Sequence, residues 1–283
     1  MHQIPAVLQC SPMLRNSVKR SLALVGYEMH KMPSEQPLYD AYRPESLTER
    51  CFYNVGAGSF YHRYWTNIDY ESEWYRKRHK HPFVKYDLTS GEPLPIETGT
   101  AEIIYTSHTI EHIPDDAAAR FLSESHRALV PGGVLRLTMP DFDRAQRAYR
   151  DGDNYWFLSW GCSSTLPQNF LHTFAAQLAS MSPTKDRRKF SDQEIVAMFS
   201  QGEPEQLLNQ LTSLCSFNPD SPADHINWWN SHKAERFLRA AGFSMVYRSA
   251  YGQSGALPLR DVRYFDNTFP HISMYIEAVR KQT

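Results

Sequence analysis

Short apolar runs recur through the middle of the chain, each ended by glycine or a polar residue. Cys51-Phe52-Tyr53 leads to Val55 and stops at the turn Gly56-Ala57-Gly58, and Trp65-Thr66-Asn67-Ile68 stops at Asp69. Phe83-Val84-Lys85-Tyr86 ends at Asp87, Ala101-Glu102-Ile103-Ile104-Tyr105-Thr106 is apolar and β-prone, and Val134-Leu135-Arg136-Leu137-Thr138-Met139 is closed by Pro140-Asp141. Runs of this length between turn residues predict five strands. Before the fifth, Phe121, Leu122, Ala128 and Leu129 share one side of a helix that Asp115 and Asp116 can cap and that Pro131-Gly132-Gly133 stops as a turn. After Trp228, Ser231 caps a second helix bearing Ala234, Phe237, Leu238 and Ala241, with Gly242 as its stop. Residues 243–251 and 273–280 predict two last strands. Such alternation predicts an α/β fold with a largely parallel sheet covered by helices, whose strand C-termini share the edge where ligands bind.

Two segments break the rhythm. In residues 1–45, Leu14, Val18, Leu22 and Val25 recur at helical spacing and Pro33, Pro37 and Pro44 follow, which predicts a helical lead-in and then a loop. This helix packs on the main domain, or meets a partner or a membrane surface. Residues 150–222 are rich in Ser, Gln, Asn and aromatics, with helical spacing at Ile195, Met198, Phe199 and at Leu207, Leu208, Leu211, Leu214. They predict a helical insertion after strand five. The expected organisation is a lead-in at 1–45, a main domain at 46–149 and 223–283, and an insertion at 150–222.

Glycines followed by a strand-terminal acid change the picture from fold to ligand. A backbone without Cβ lets a ligand approach, and a carboxylate at the next strand end can grip both hydroxyls of a ribose; an ordinary tight turn has the same residues. A dinucleotide site needs G-x-G-x-x-G and an acid roughly 20 residues on, after a full helix. Here Tyr61 stands at the third glycine position, and Asp69 follows Gly58 with little room for such a helix, which disfavours a nicotinamide cofactor.

Composition narrows the partners. The chain has 283 residues, 41% hydrophobic and 22% charged, and 30 basic against 31 acidic residues give a net charge of -1. That balance offers no footprint for nucleic acid or an anionic membrane. The basic runs at 76–81 and 185–189 read as solvated faces, with a local basic patch as the alternative. Cys10, Cys51, Cys162 and Cys215 lie far apart with no Cys-x-x-Cys pair, as expected in a reducing compartment. No apolar run approaches the roughly 20 residues of a membrane span, and the N-terminus lacks the pattern of a secretion signal. A cytoplasmic location is expected.

An ordered set of motifs then carries a resemblance. It comprises Asn54-Val55-Gly56-Ala57-Gly58, Asn67-Ile68-Asp69, Tyr86-Asp87-Leu88 and Ala101-Glu102-Ile103-Ile104. Ser107-His108-Thr109-Ile110-Glu111-His112-Ile113 follows, then Glu124, His126-Arg127-Ala128-Leu129, Pro131-Gly132-Gly133 and Pro140-Asp141. From Phe52 to Asp141, and again near His225, the chain resembles the class I S-adenosylmethionine-dependent methyltransferases, in particular the methyltransferase type 11-like group. The resemblance implies a Rossmann-like seven-stranded, mostly parallel sheet with an antiparallel last strand and helices on both faces. It implies S-adenosyl-L-methionine as cofactor. Asn54, Gly56, Ala57 and Gly58 would meet its methionine part, Asp69 the ribose, Asp87 and Leu88 the adenine, and Ser107 and His108 the region of the reactive methyl. Asn54 stands where many members carry Asp, Glu102 where Asp is common, and Ala101 where an aromatic is common.

For the chemistry, His108 is the first candidate base and His225, in Asp224-His225-Ile226-Asn227-Trp228-Trp229, the second. His225 equally reads as a packed helix-entry residue. Glu111 and His112 are expected to fix their loop, and His126 to be structural. His108 and His112 are four apart, but the His-Glu-x-x-His order is missing and Pro114 follows, so no metal is expected. Tyr155, Trp156, Phe157, Trp160, Phe170, His172 and Phe174 line an acceptor pocket under the insertion, or form its core. The expected function is methyl transfer to a small molecule or glycan precursor, at oxygen, without nucleic-acid partners or a membrane span. The alternative is a non-catalytic S-adenosylmethionine-binding or regulatory module.

Overall fold

In the computed structural model, residues 16–17, 20–21, 34–76, 80–159, 161–200 and 204–282 are described. The chain divides into two units, Met1–Pro37 and Leu38–Thr283. The lead-in helix expected on Leu14, Val18, Leu22 and Val25 lies outside the described residues.

The second unit is built on seven strands: β1 (Phe52–Val55), β2 (Trp65–Asp69), β3 (Val84–Lys85), β4 (Ala101–Ser107), β5 (Leu129–Pro140), β6 (Met245–Ser249) and β7 (Ser273–Val279). Their order is β3-β2-β1-β4-β5-β7-β6. The first five pair in parallel, and β7 runs antiparallel to both β5 and β6. This is the Rossmann-like α/β sheet with its antiparallel last strand. β1 and β2 are joined by Gly56–Tyr64 without a helix, so the chain reaches the second strand through the glycine loop alone.

The pleat sends neighbouring residues to opposite faces. Ile104, with Leu135, Leu137 and Ile276, packs under helices α2 (Asp115–Ala128) and α8 (Ser231–Ala240) through Leu122 and Leu238. Ile103, with Phe52, Trp65 and Tyr105, packs on the other face against Tyr39, Leu259 and Phe265. That face is covered by α1 (Pro44–Thr48) and the 3₁₀ turn Leu257–Arg260. A third apolar cluster lies in the helices α3 (Phe142–Arg150), α4 (Asn154–Leu158), α5 (Leu166–His172), α6 (Asp192–Phe199) and α7 (Pro204–Ser213). Phe157, Phe170 and Phe174 are buried in it, and Tyr155 is exposed.

Several local expectations shift. β5 starts at Leu129 and takes Pro131-Gly132-Gly133 into the strand. Leu129 pairs with Ala101 and Val134 with Ile103, so the three residues bulge out of register. The bulge is held because Gly132 N donates to Arg280 O at 2.8 Å and Arg280 N to Gly133 O at 3.0 Å. α8 is capped one residue earlier than expected, by Asn230, whose amide oxygen accepts from Lys233 N at 2.9 Å. Asp115 and Asp116 sit inside the first turn of α2, where their charge favours the helix N-terminus, and Pro114 precedes them without a side-chain cap.

Arg136, in the middle of β5, has a fully buried side chain. All five guanidinium N–H groups are used. Nε and Nη2 donate to the two oxygens of Asp266 at 3.0 and 2.5 Å, and Nη1 donates to Glu277 Oε1 at 2.8 Å. The carbonyls of Gln253 and Ala250 accept the other two at 3.0 Å each. Burial works against the charge, but Asp266 and Glu277 outweigh it and raise the Arg136 pKa. The arginine thereby ties the segment that follows β6 onto the sheet. Replacing it strands two buried carboxylates. Arg136→Met is expected to cost about 3–5 kcal/mol in urea denaturation; a loss below about 1 kcal/mol would contradict this reading of the triad.

Candidate functional site

The C-terminal ends of β1, β2 and β4 open into a cavity of about 660 Å³. Volumes of this size hold small molecules and cofactors.

The floor is the glycine loop. Gly56 has φ +73°, and a Cβ there would lie 2.2 Å from Thr109 Oγ1. Gly58 has φ +56°, with open space where its Cβ would stand. The first glycine is demanded by packing as well as by its backbone angle. The second leaves its backbone bare on the cavity wall. Gly56 N donates to Ile68 O at 2.9 Å, and Gly58 N to Asp69 Oδ2 at 2.6 Å, so β2 holds the loop at both ends. The other Asp69 oxygen accepts from Tyr70 N at 2.8 Å. After β3, Asp87 Oδ1 accepts from Thr89 N and Oγ1, both at 2.7 Å. Asp87 Oδ2 has no such partner among the described residues.

At the end of β4, Ser107 Oγ accepts from Thr138 Oγ1 at 2.7 Å. His108 takes φ +51°, a left-handed conformation uncommon outside glycine. Its Nε2 lies 2.8 Å from Ser273 Oγ, and its Nδ1 lies 3.2 Å from Glu111 Oε1. Both ring nitrogens of the first candidate base therefore face protein partners. Asn54, Gly56, Ala57, Gly58, Asp69, Asp87, Leu88, Ser107, His108 and His225 all line this one cavity, together with His112.

The segment carrying His225 is locked by backbone and side-chain bonds at Ile226 and Asn227. Ile226 N and Asn227 N both donate to Glu111 O, at 2.9 and 3.1 Å. Asn227 Nδ2 donates to Ile113 O and Asp115 Oδ1, both at 2.9 Å. Asn227 Oδ1 accepts from Trp228 N at 2.9 Å and from the buried Lys233 Nζ at 2.8 Å. Lys233 also pairs with Asp115 at 2.7 Å and lies over the rings of Trp228 and Trp229 at 4.6 and 4.7 Å. This lock brings His225 to His112, with ring centroids 4.8 Å apart. Burial, then the neighbouring His112, pushes the His225 pKa down to about 3. His225 is therefore neutral at physiological pH and a weak base. The Glu111 carboxyl is held near 2: burial would raise it, but the contact with His108 outweighs that.

The remaining walls were not foreseen. Arg263, Tyr264, Asn267, Thr268, Phe269 and Ile272 come from the segment anchored by Arg136. Phe217, Pro222 and Ala223 come from the stretch just before His225, and Phe217 meets Tyr70 edge-on at 5.3 Å. The insertion aromatics offered as pocket residues do not line the cavity; Trp160 lies outside the described residues. A charged residue inside the apolar run of β5 and another, Glu277, inside that of β7 were the available signal for the anchored wall.

Residues 55–137 match the family described as a methyltransferase domain. An uncharacterized 37.1 kDa protein in transposon TN4556 of Streptomyces fradiae is 34% identical over 76 residues, 27% of this chain and 21% of that protein. The chain thus spans about a fifth of the length of that curated relative. Among solved structures, a SAM dependent methyltransferase from Archaeoglobus fulgidus is 12% identical at TM-score 0.40, covering 94% of each chain. The citrinin polyketide synthase CMeT domain is 12% identical at TM-score 0.38, covering 82% of this chain and 46% of that one.

The two loop glycines differ in what a side chain would meet. Gly58→Ala is expected to cost about 1–2 kcal/mol for its backbone angle. Gly56→Ala adds the collision with Thr109 and is expected to cost roughly 2–5 kcal/mol. Equal losses in chemical denaturation would contradict the packing argument.

Proposed function

We propose that this chain is a class I S-adenosylmethionine-dependent methyltransferase that moves a methyl group to an oxygen of a small molecule or glycan precursor, a reading supported by the match of residues 55–137 to a methyltransferase domain. The observation that carries the reading is the gathering of the glycine loop, Asp69 and Asp87 on one cavity. The donors and acceptors there fit the cofactor. Gly58 leaves room where a Cβ would stand, the Asn54 amide oxygen is buried without a partner, and one Asp87 oxygen is unused by the turn at Thr89.

In this reading the backbone of Gly56, Ala57 and Gly58, with Asn54, holds the methionine part. Asp69 takes the ribose hydroxyls, and Asp87 with Leu88 takes the adenine. Ser107 and His108 border the methyl. When bound, the cofactor supplies a sulfonium-activated methyl group. The chain supplies alignment and the exclusion of water, worth about 7–11 kcal/mol when geometry is well set. His108, held by Ser273 and Glu111, is the first candidate base on the acceptor side and His225 the second. We assign residues 150–222 to the acceptor side as well, since Phe217 and Pro222 reach the cavity.

A cavity of this kind suits small acceptors, and a net charge of -1 supports no nucleic-acid role. No helix among the described residues is long and apolar enough to cross a membrane. Cys51, Cys162 and Cys215 are unpaired, which supports a cytoplasmic setting.

Calorimetry with S-adenosylhomocysteine tests the cofactor assignment. Asp69→Ala is expected to weaken binding by about 10–100-fold, the worth of hydrogen bonds to a charged group; unchanged affinity would remove Asp69 from the site. Transfer of labelled methyl groups into a small-metabolite extract tests turnover. Tight cofactor binding with no labelled product from any extract would favour a regulatory module.

A further inference from the structure

Glu111 is buried behind the cavity wall with a side chain 2% exposed, and neither carboxylate oxygen has a hydrogen-bond partner. Its contact with His108 Nδ1 at 3.2 Å is an ion-pair distance without hydrogen-bond alignment. A buried carboxylate in that state calls for a cation.

Two histidines converge on it. His112 Nδ1 lies 3.1 Å from Asp224 O, and His225 Nδ1 lies 2.9 Å from Thr173 O. A carbonyl oxygen only accepts, so each ring carries its proton on Nδ1 and its lone pair on Nε2. A backbone carbonyl holding one ring nitrogen is how outer-shell contacts fix the tautomer of a metal-binding imidazole. One ligand atom from each of Glu111, His112 and His225 lies within 4.8 Å of the others, and Glu111 Oε1 is 3.9 Å from His112 Nε2. Bonds of about 2.0–2.2 Å in a tetrahedral site put ligand atoms roughly 3.4 Å apart, a small closing movement from here. His112 and His225 line the cavity, so the cluster is reachable from it.

We infer that Glu111, His112 and His225 form a site for a divalent transition-metal ion of the zinc class, set in the wall of the cavity. Two imidazoles and one carboxylate favour such an ion over magnesium or calcium, which take oxygen ligands. An ion there would lower the pKa of an acceptor hydroxyl bound to it. That consequence rests on the methyl-transfer reading; the site itself does not.

The test is a titration of the metal-stripped full chain with Co²⁺ alone, followed by visible absorption and calorimetry. The expected result is one saturable equivalent with the intense absorption of a four- or five-coordinate ion, displaced by Zn²⁺. Glu111→Gln, which keeps the side-chain shape, and His225→Ala are each expected to weaken binding by more than the roughly 10–100-fold that loss of an outer-shell contact costs. Asp69→Ala is expected to bind Co²⁺ as the parent chain does, so a failed cofactor assignment leaves this result intact. Absence of saturable Co²⁺ binding in the parent chain, or binding unchanged in folded Glu111→Gln, would overturn the proposal and leave Glu111 as a counter-ion for His108.

Discussion

The buried guanidinium of Arg136 is the constraint on which the cavity's far wall depends. Taking a charge into the interior costs free energy unless every donor is met. Here the two carboxylates come from opposite sides of the problem. Glu277 lies directly across from Arg136 in the β5–β7 register, while Asp266 belongs to the irregular segment between β6 and β7. Satisfying the arginine therefore fixes that segment against the sheet. Glu277 extends the network, accepting from Gly255 N at 3.0 Å and from Tyr247 Oη. Asp266 N donates to Tyr105 Oη at 2.8 Å, which ties the same segment to β4. Residues 263–272, which have few strand or helix bonds of their own, acquire a defined place facing the glycine loop.

A second polar lock works on the other side. Asn227 bridges the chain before α8 to the start of α2, and Lys233 supplies the buried cation that joins them. The result is a site built from three distant stretches of sequence: the β1–β2 turn, the loop after β4, and the stretch around His225 before α8. The neutral His225 and the ionised Glu111 follow from this packing. Their environments push both pKa values down, for opposite reasons: burial penalises the histidine's charged form, and the contact with His108 favours the carboxylate's.

Much of this was legible in the sequence because it is local. Strand runs ending at Val55, Asp69 and Thr106 put Gly56, Gly58, Asp69 and Ser107 on one sheet edge by topology alone. What was not legible depends on distant pairing. Pro131-Gly132-Gly133 reads as a turn, yet it bulges inside β5 because Arg280, at the far end of β7, accepts and donates there. Tyr155, Phe157, Phe170 and Phe174 read as pocket or, for most of them, core; the three phenylalanines settle as core and Tyr155 as surface by contacts no periodicity shows. Glu111 reads as a loop-fixing residue, and its backbone oxygen does fix the loop. That its carboxylate is left without a hydrogen bond appears only once the histidines are placed around it.

The most direct measurement is a crystal structure of the chain with S-adenosylhomocysteine. The expected result is the ribose hydroxyls on the Asp69 carboxylate, the adenine amine at Asp87, and the sulfur facing Ser107 and His108. A ligand bound with its ribose away from Asp69, or a cavity that takes a nicotinamide dinucleotide in its place, would contradict it.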